Sequence, residues 1–286
     1  MNKNVIRLYP GSGESVPLRG LYLRQGKPAL RNSRRNVEKD NSQPHIYANF
    51  LTSLDGRIAL RDAGKENYHL PSELKSDEDF LLFLELYARA DCIITHGGYM
   101  RALAADRLGN VLQLPESSAT QYMHDWRQQE GMKKNPDVVI ISGSLEFPWH
   151  TSLDNAEQNV HIATGGMASQ EAKQHWLDAG HQVNQLGEKQ HVDAKCLIEF
   201  LTKQGYQSVY LVAGPDLLQD LIEQGYVQNF YMTMSHQLLS GGDFKSLLSG
   251  DTLNQFGRMK LENMYMDLQN SNALGQWYVE FSFEDK

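Results

Sequence analysis

Residues 47–60 read Y-A-N-F-L-T-S-L-D-G-R-I-A-L, and the fold turns on how they are read. The run opens as a β-strand, closes on Thr52-Ser53 and the Asp55-Gly56 step, then enters a second short apolar run. Strand residues that stop on small hydroxyls place polar groups at a sheet end, where open α/β sheets bind ligands. The same letters also spell a hairpin, because Asp-Gly tolerates the φ > 0 that a tight turn needs. On this stretch alone both readings stand.

Downstream, Ser76-Asp77-Glu78-Asp79 is a helix start, with Ser76 to cap free amides and acids in the first turn to suit the macrodipole. The helix runs to about Arg89 and is apolar at Phe80, Leu81, Leu82, Phe83, Leu84, Leu86 and Tyr87. So wide an apolar surface requires burial between layers or at an interface. Asp91–Thr95, Asp137–Ile141, Val160–Ala163, His181–Gln185 and Ser208–Val212 read as short strands alternating with helices. The polar segment 115–136 is helical in parts, with Trp126 as its expected anchor. From Gln228 the pattern changes to strands at 228–235, 258–268 and 276–283. In the last, Trp277, Val279, Phe281 and Phe283 alternate against Tyr278, Glu280 and Ser282, which indicates one buried face. The expectation is a mixed α/β sheet flanked by helices, with antiparallel C-terminal strands.

Composition bounds the function. The 286 residues are 41% apolar with no run near the ~18–20 residues of a membrane span. No apolar h-region follows the N-terminus, so a cytoplasmic protein is expected. Cys92 and Cys196 lie far apart and read as buried, inert thiols. A net charge of −8 argues against general nucleic-acid affinity. Residues 1–40 nevertheless carry nine Lys and Arg against three acids. A basic N-terminal arm over 1–43 is therefore expected, ending near Asn41-Ser42-Gln43-Pro44, and one domain over 44–286. Leu18, Leu21, Tyr22 and Leu23 would let the arm pack.

Four expected strand ends finish in glycine or hydroxyl residues: Ser53–Gly56, Thr95–Gly98, Ser142–Ser144 and Ala213–Pro215. Turns without bulky side chains let backbone N–H groups approach a phosphate, and several on one sheet edge suit a dinucleotide. Strand-to-helix turns use glycine for packing as well. No G-x-G-x-x-G, P-loop or H-E-x-x-H pattern is present, and the histidines show no ligand spacing, so no metal is expected. His96, beside the glycine pair, is the one histidine placed as a site residue would be.

The run Ser53-Leu54-Asp55-Gly56-Arg57-Ile58-Ala59 resembles the S-L-D-G-[KR]-I-A signature of the riboflavin-pathway pyrimidine reductases. These are the reductase half of the bifunctional deaminase–reductase enzymes and have a dihydrofolate-reductase-like fold. The resemblance covers roughly 44–283 in order. Ala90–Ile94 resembles the A-D-A-I-L strand, His96–Arg101 occupies the G-a-G-T-v-R turn, and Val138–Ser142 matches the strand entering the adenosine-phosphate side. Val209–Leu218 and Gly225-Tyr226-Val227 resemble l-v-E-G-G-P-x-L-l and G-L-V-D-E, and Leu238–Gly242 resembles the l-l-G-G turn. The departures are Val212 for the family Glu, Ala213 for a Gly, Tyr99 for a cofactor Thr and Tyr87 for a substrate Arg. Leu103 or its neighbour stands for the first Asp of D-D-P, and Gln228-Asn229 for Asp-Glu. H-x-E and P-C-x-x-C, which a zinc deaminase needs, are absent, so a reductase alone is expected.

The resemblance implies an NADPH-dependent reductase of the 5-amino-6-(5-phosphoribosylamino)uracil type, converting ribosyl to ribityl. It implies a phosphorylated small-molecule substrate and a homodimer, with no nucleic-acid or membrane partner. The substrate-side candidates are Asn49, Ser53, Asp55 and Tyr68, with Asp55 as the catalytic candidate. The cofactor-side candidates are Leu51, Thr95, Gly97, Gly98, Tyr99, Arg101, Ser142, Ser144, Ala213, Gly214 and Pro215. Arg101 and Ser144 would meet a 2′-phosphate. The rival readings are a reductase of another pyrimidine, pterin or folate-like substrate, and a non-catalytic nucleotide-binding paralogue.

Overall fold

The structure is a computed structural model and describes residues 3–11, 13–26, 43–61, 68–154, 157–248, 250–268 and 274–283. Of the basic arm, Lys27, Arg31, Arg34, Arg35 and Lys39 lie outside the described residues, as do Asn41 and Ser42 at its expected boundary. The chain begins with β1 (Asn4–Tyr9), β2 (Ser15–Pro17), β3 (His45–Ser53), β4 (Arg57–Arg61), β5 (Tyr68–His69) and α1 (Asp77–Ala88). There follow β6 (Cys92–His96), α2 (Gly97–Ala104), α3 (Gln121–Gln129), β7 (Asp137–Ile141), β8 (Val160–Thr164) and α4 (Gln170–Asp178). Then come β9 (Val183–Gln185), α5 (Ala194–Lys203), β10 (Ser208–Leu211) and α6 (Pro215–Glu223). The chain closes with β11 (Val227–Ser235), β12 (Phe244–Ser246), β13 (Met259–Asp267) and β14 (Gln276–Phe283). These elements form two compact units, Met1–Arg24 with Ile46–Glu85 and Pro215–Lys286, and Gln25–His45 with Leu86–Gly214. The expected mixed α/β architecture, with helices and a closing antiparallel set, is present.

In the first unit six strands run in the order β2-β1-β13-β14-β11-β3. All their pairings are antiparallel except β11 with β3, which is parallel. No strand is read in the sequence before Ile46, yet β1 pairs with β13 through Ile6 and Met266. Leu18, Leu21, Tyr22 and Leu23 are buried. Glu85 fixes this segment by accepting the amides of Gly20 (2.5 Å) and Tyr22 (2.9 Å). Lys3 adds ion pairs with Glu78 (2.8 Å) and Asp267 (2.7 Å).

The face of β14 that reads as polar is buried, and of the apolar face only Val279 is buried as well. Gln276, Tyr278 and Glu280 are at most 1% exposed, whereas Trp277 and Phe281 are half-buried. Hydrogen bonding explains the inversion. Glu280 accepts from Asn229 (3.2 Å), Tyr231 (3.1 Å) and Asn263 (2.5 Å), and Gln276 meets Ser76 at 3.1 Å, so these groups are satisfied inside the fold.

The hairpin reading of Asp55-Gly56 is not the one realised. β4 leaves β3 and pairs instead with β5 and β12 in a separate three-stranded antiparallel sheet. The turn therefore passes the chain from one sheet to another.

The second unit holds five parallel strands in the order β10-β6-β7-β8-β9. Cys92–Ile94, Val138–Ile140 and Val209–Leu211 are at most 2% exposed, as befits strands covered on both faces. Helices start on side-chain caps: Ser169 Oγ accepts the Ala172 amide and Asp193 the Cys196 amide. Cys196 itself is half-buried rather than buried. Met123 and Arg127 anchor α3, while Trp126 is only half-buried.

Candidate active site

In the first unit the strand end of β3 is built around Asp55. Gly56 takes φ +80° and its amide donates to the Ser53 carbonyl (3.0 Å), closing a tight turn. Asp55 Oδ1 accepts from Ser53 Oγ (2.5 Å) and the Leu239 amide (3.3 Å). Its Oδ2 accepts from the Ser240 amide (2.8 Å) and Arg57 Nη1 (2.5 Å). These donors, Ser53 first and then Ser240, hold the carboxyl down at a pKa of about 2. Arg57 continues to the Gly241 carbonyl (2.9 Å) and lies over the Phe244 ring at 4.2 Å. An ionised carboxylate thus ties the β3 turn to the 239–241 loop.

The structure brings Ser53 and Asp55 into contact. Asn49 and Leu51 lie further back on β3, on the same face as Ser53 by strand alternation. Tyr68 is exposed on β5 and donates to Asp243 (3.0 Å), two residues beyond Gly241. The hydrogen bond to Asp243 raises the pKa of its phenol.

Asp79, read in the sequence only as a helix-start acid, shares this face. Its carboxyl is hydrogen-bonded by Thr233, which pairs with Leu51 of β3. Its Oδ1 is buried with no partner, and burial pushes the pKa up to about 6. Beside it Ser235, fully buried and paired with Ser53, also has an unpartnered Oγ. No spacing in the sequence distinguishes Asp79 from Asp77 or Glu78.

In the second unit the carboxyl ends of β10, β6 and β7 lie side by side, with Val212 N–H donating to the Ile94 carbonyl (2.8 Å). They carry Ala213-Gly214, Thr95 with Gly97-Gly98, and Ser142. The first turn of α2 has His96 as its N-cap, with no side-chain hydrogen bond to its amides. Thr95 Oγ1 is buried without a partner, and no atom lies within 4 Å of where a Cβ on Gly214 would be. Free helix amides, an unsatisfied hydroxyl and a bare glycine fit the phosphates and hydroxyls of a dinucleotide.

Other candidates on this edge have structural partners. Tyr99 is buried, donates to the Gly109 carbonyl (3.0 Å) and accepts the Val111 amide (2.8 Å). Arg101 donates to the Glu146 carbonyl (2.6 Å), Ser142 Oγ accepts the Leu145 amide (3.0 Å), and Ser144 Oγ accepts the Glu146 amide (3.2 Å). Gly97 is needed for packing, since a Cβ there would press on Ser142 Oγ at 3.0 Å. The glycines at 165 and 166 have a similar cause, lying beneath the carbonyls of Glu188, Lys189 and Gln190. Pro215 opens α6, in the first unit. Tyr87, at the family's substrate Arg position, is buried and donates to the Leu112 carbonyl (2.7 Å). Among the described residues there is no cluster of three or more potential metal ligands, and no helix long and apolar enough to cross a membrane.

Comparison with known proteins places this architecture. The 2,5-diamino-6-ribosylamino-4(3H)-pyrimidinone 5′-phosphate reductase of Archaeoglobus fulgidus is 25% identical over 210 residues, 73% of this chain and 88% of that protein. The riboflavin biosynthesis protein RibD of Escherichia coli is 24% identical over 204 residues, 71% of this chain and 51% of that protein. The fold is shared with a pyrimidine reductase-like protein from Corynebacterium diphtheriae, at a TM-score of 0.62 and 17% identity, covering 85% of this chain and 93% of that one. The family model of the RibD C-terminal domain matches residues 44–276, and the chain belongs to that family.

Proposed function

We propose that the chain is an NADPH-dependent reductase that converts the ribosyl group of a phosphorylated ribosylaminopyrimidine to ribityl. The observation that carries the cofactor half is the uncapped first turn of α2 at the ends of parallel strands. Reduced nicotinamide, when bound, supplies a hydride to the sugar C1. The C1–O4 bond opens, C1 gains the hydride, and O4 leaves as a hydroxyl after taking a proton. The protein's part is to hold and orient the sugar and exclude water. Asn49 and Ser53 are assigned to the substrate, with Tyr68 at its rim. Asp55, ionised and fully engaged, serves as a positioning residue for the 239–241 loop rather than as a proton donor.

Thr95, Gly97, Gly98, Ala213 and Gly214 are assigned to the cofactor. Ser142, Ser144, Tyr99 and Arg101 shape that edge, with Arg101 and Ser144 nearest the 2′-phosphate role. Titration with NADPH should quench the fluorescence of the protein, which has four tryptophans. Oxidation of NADPH should then require a phosphoribosylaminopyrimidine. No quenching at millimolar NADPH would refute the reductase; quenching without oxidation would favour the binding-only paralogue.

The homodimer is proposed on the outward face of the antiparallel strands. Met232, Met234, Met264, Met266 and Trp277 lie half-buried there. Apolar side chains gathered on one exposed sheet face are a surface that supports association. Sedimentation at micromolar concentration should give a dimer, shifted toward monomer by Met234→Lys. A parent that sediments only as monomer would refute it.

A further inference from the structure

The carboxyl of Asp79 stands apart from the other buried acids of its unit. Among the described residues, Glu78 is paired with Lys3, and Asp267 with Lys3 and Tyr278. Glu85 accepts two backbone amides, and Glu280 accepts from Asn229, Tyr231 and Asn263. Asp79 has the Thr233 hydroxyl on its carboxyl, no cation, and a buried Oδ1 with nothing to accept. A carboxylate oxygen left so is costly, and in a native fold it calls for a functional explanation. Burial has already pushed this carboxyl up to about 6, against the opposing pull of the Thr233 hydroxyl.

Its place gives the donor's origin. Thr233 and Ser235 on β11 pair with Leu51 and Ser53 on β3, and alternation puts all four side chains on the face of Asn49. Asp79 reaches that face from α1 and binds Thr233, while Ser235 Oγ is a second buried, unpartnered group there. The turn of α1 that carries Asp79 is fixed, since Ser76 Oγ accepts the Asp79 amide (3.1 Å) and donates to Gln276 (3.1 Å).

We propose that Asp79 reads ring position 2 of the pyrimidine, its free Oδ1 accepting an N–H from a 2-amino group, so that the enzyme takes a 2-amino-pyrimidinone ribosylamine phosphate in preference to the uracil counterpart. This deepens the reductase reading and rests on it for the substrate's identity. The two compounds differ at one atom that matters here. Both compounds carry an N–H at a ring nitrogen beside position 2, and only the 2-amino-4(3H)-pyrimidinone adds N–H donors at position 2 itself. A uracil puts a carbonyl at position 2, whose lone pairs oppose those of an ionised carboxylate. A site built to accept a hydrogen bond rejects a ligand that cannot donate it, by about 100-fold or more.

The test compares 2,5-diamino-6-ribosylamino-4(3H)-pyrimidinone 5′-phosphate with 5-amino-6-(5-phosphoribosylamino)uracil, in the parent and in Asp79→Asn, at pH 8. With NADPH present, the parent should favour the diamino compound by about 100-fold in kcat/KM. Asp79→Asn, whose amide can donate to a carbonyl, should narrow that ratio at least about tenfold. A purely structural role would lower both rates and leave the ratio unmoved, which overturns the assignment, as does a parent with no preference. Calorimetric binding of the same two compounds without NADPH separates the two claims. If neither compound is reduced, yet the diamino form binds more tightly and Asp79→Asn removes the difference, the reductase reading fails and the Asp79 assignment holds. Equal binding, or none, overturns it.

Discussion

Arg127→Met should lower the stability of the protein by about 3–5 kcal/mol, read as a fall in the urea midpoint at unchanged slope. The side chain is 1% exposed and donates to four backbone carbonyls. Nε donates to Lys133 (2.8 Å) and Lys134 (3.1 Å), and Nη1 to Ala88 and Ala90 (2.8 Å each). Ala88 ends α1, so these are the acceptors that a helix terminus leaves without an intrahelical partner. The other pair belongs to the segment that enters β7. Methionine fills the volume and satisfies none of the four, and each stranded buried acceptor costs roughly 1–3 kcal/mol, partly recovered by water. Lys134→Met is the control: its ion pair with Glu116 is exposed on both sides and should be worth no more than about 1 kcal/mol. Equal effects from the two substitutions would show that Arg127 is not the anchor.

That residue also shows where sequence reading stops. Segment 115–136 reads as a polar helix hung on Trp126, because apolar periodicity finds large hydrophobes and is blind to a buried cation that caps another helix. Periodicity does find Asp137–Ile141, Ala194–Lys203 and Gln276–Phe283 to the residue. It misses β1, where Asn4–Tyr9 carries no clean alternation and sits among basic residues. For β14 it finds the period but not that Tyr278 and Glu280 are buried, since their hydrogen bonds are made with two other strands, β11 and β13. The site divides in the same way. Ser53-Leu54-Asp55-Gly56 is legible as a polar strand end because the turn is local. The donors that complete Asp55 come from a loop 184 and 185 residues away, and Asp79 differs from its acidic neighbours only in which face of α1 it occupies.

Asp55→Asn should reduce turnover by about 100-fold while leaving the fold intact, because displacement of a positioning loop by an ångström costs on that order. Both carboxylate oxygens now hold two donors each, and an amide keeps one acceptor oxygen while turning its NH2 toward the donors on the other side. The Leu239 and Ser240 amides or the Arg57 guanidinium must then let go. Hydrogen exchange at Leu239 and Ser240 should speed up in the variant, a readout that loss of a proton donor would not produce. The pH dependence separates the roles further. Because the folded-state pKa is depressed to about 2 from 3.8, the contribution of this carboxylate is complete above the unfolded value and is lost only as pH falls toward 2. The parent's pH–rate profile should therefore carry no limb from Asp55 between pH 5 and 9. A limb in that range that vanishes in Asp55→Asn would make it a proton donor after all. Parent-level turnover in Asp55→Asn, with unchanged exchange at Leu239 and Ser240, would reduce the opening stretch of the chain to a turn between two sheets.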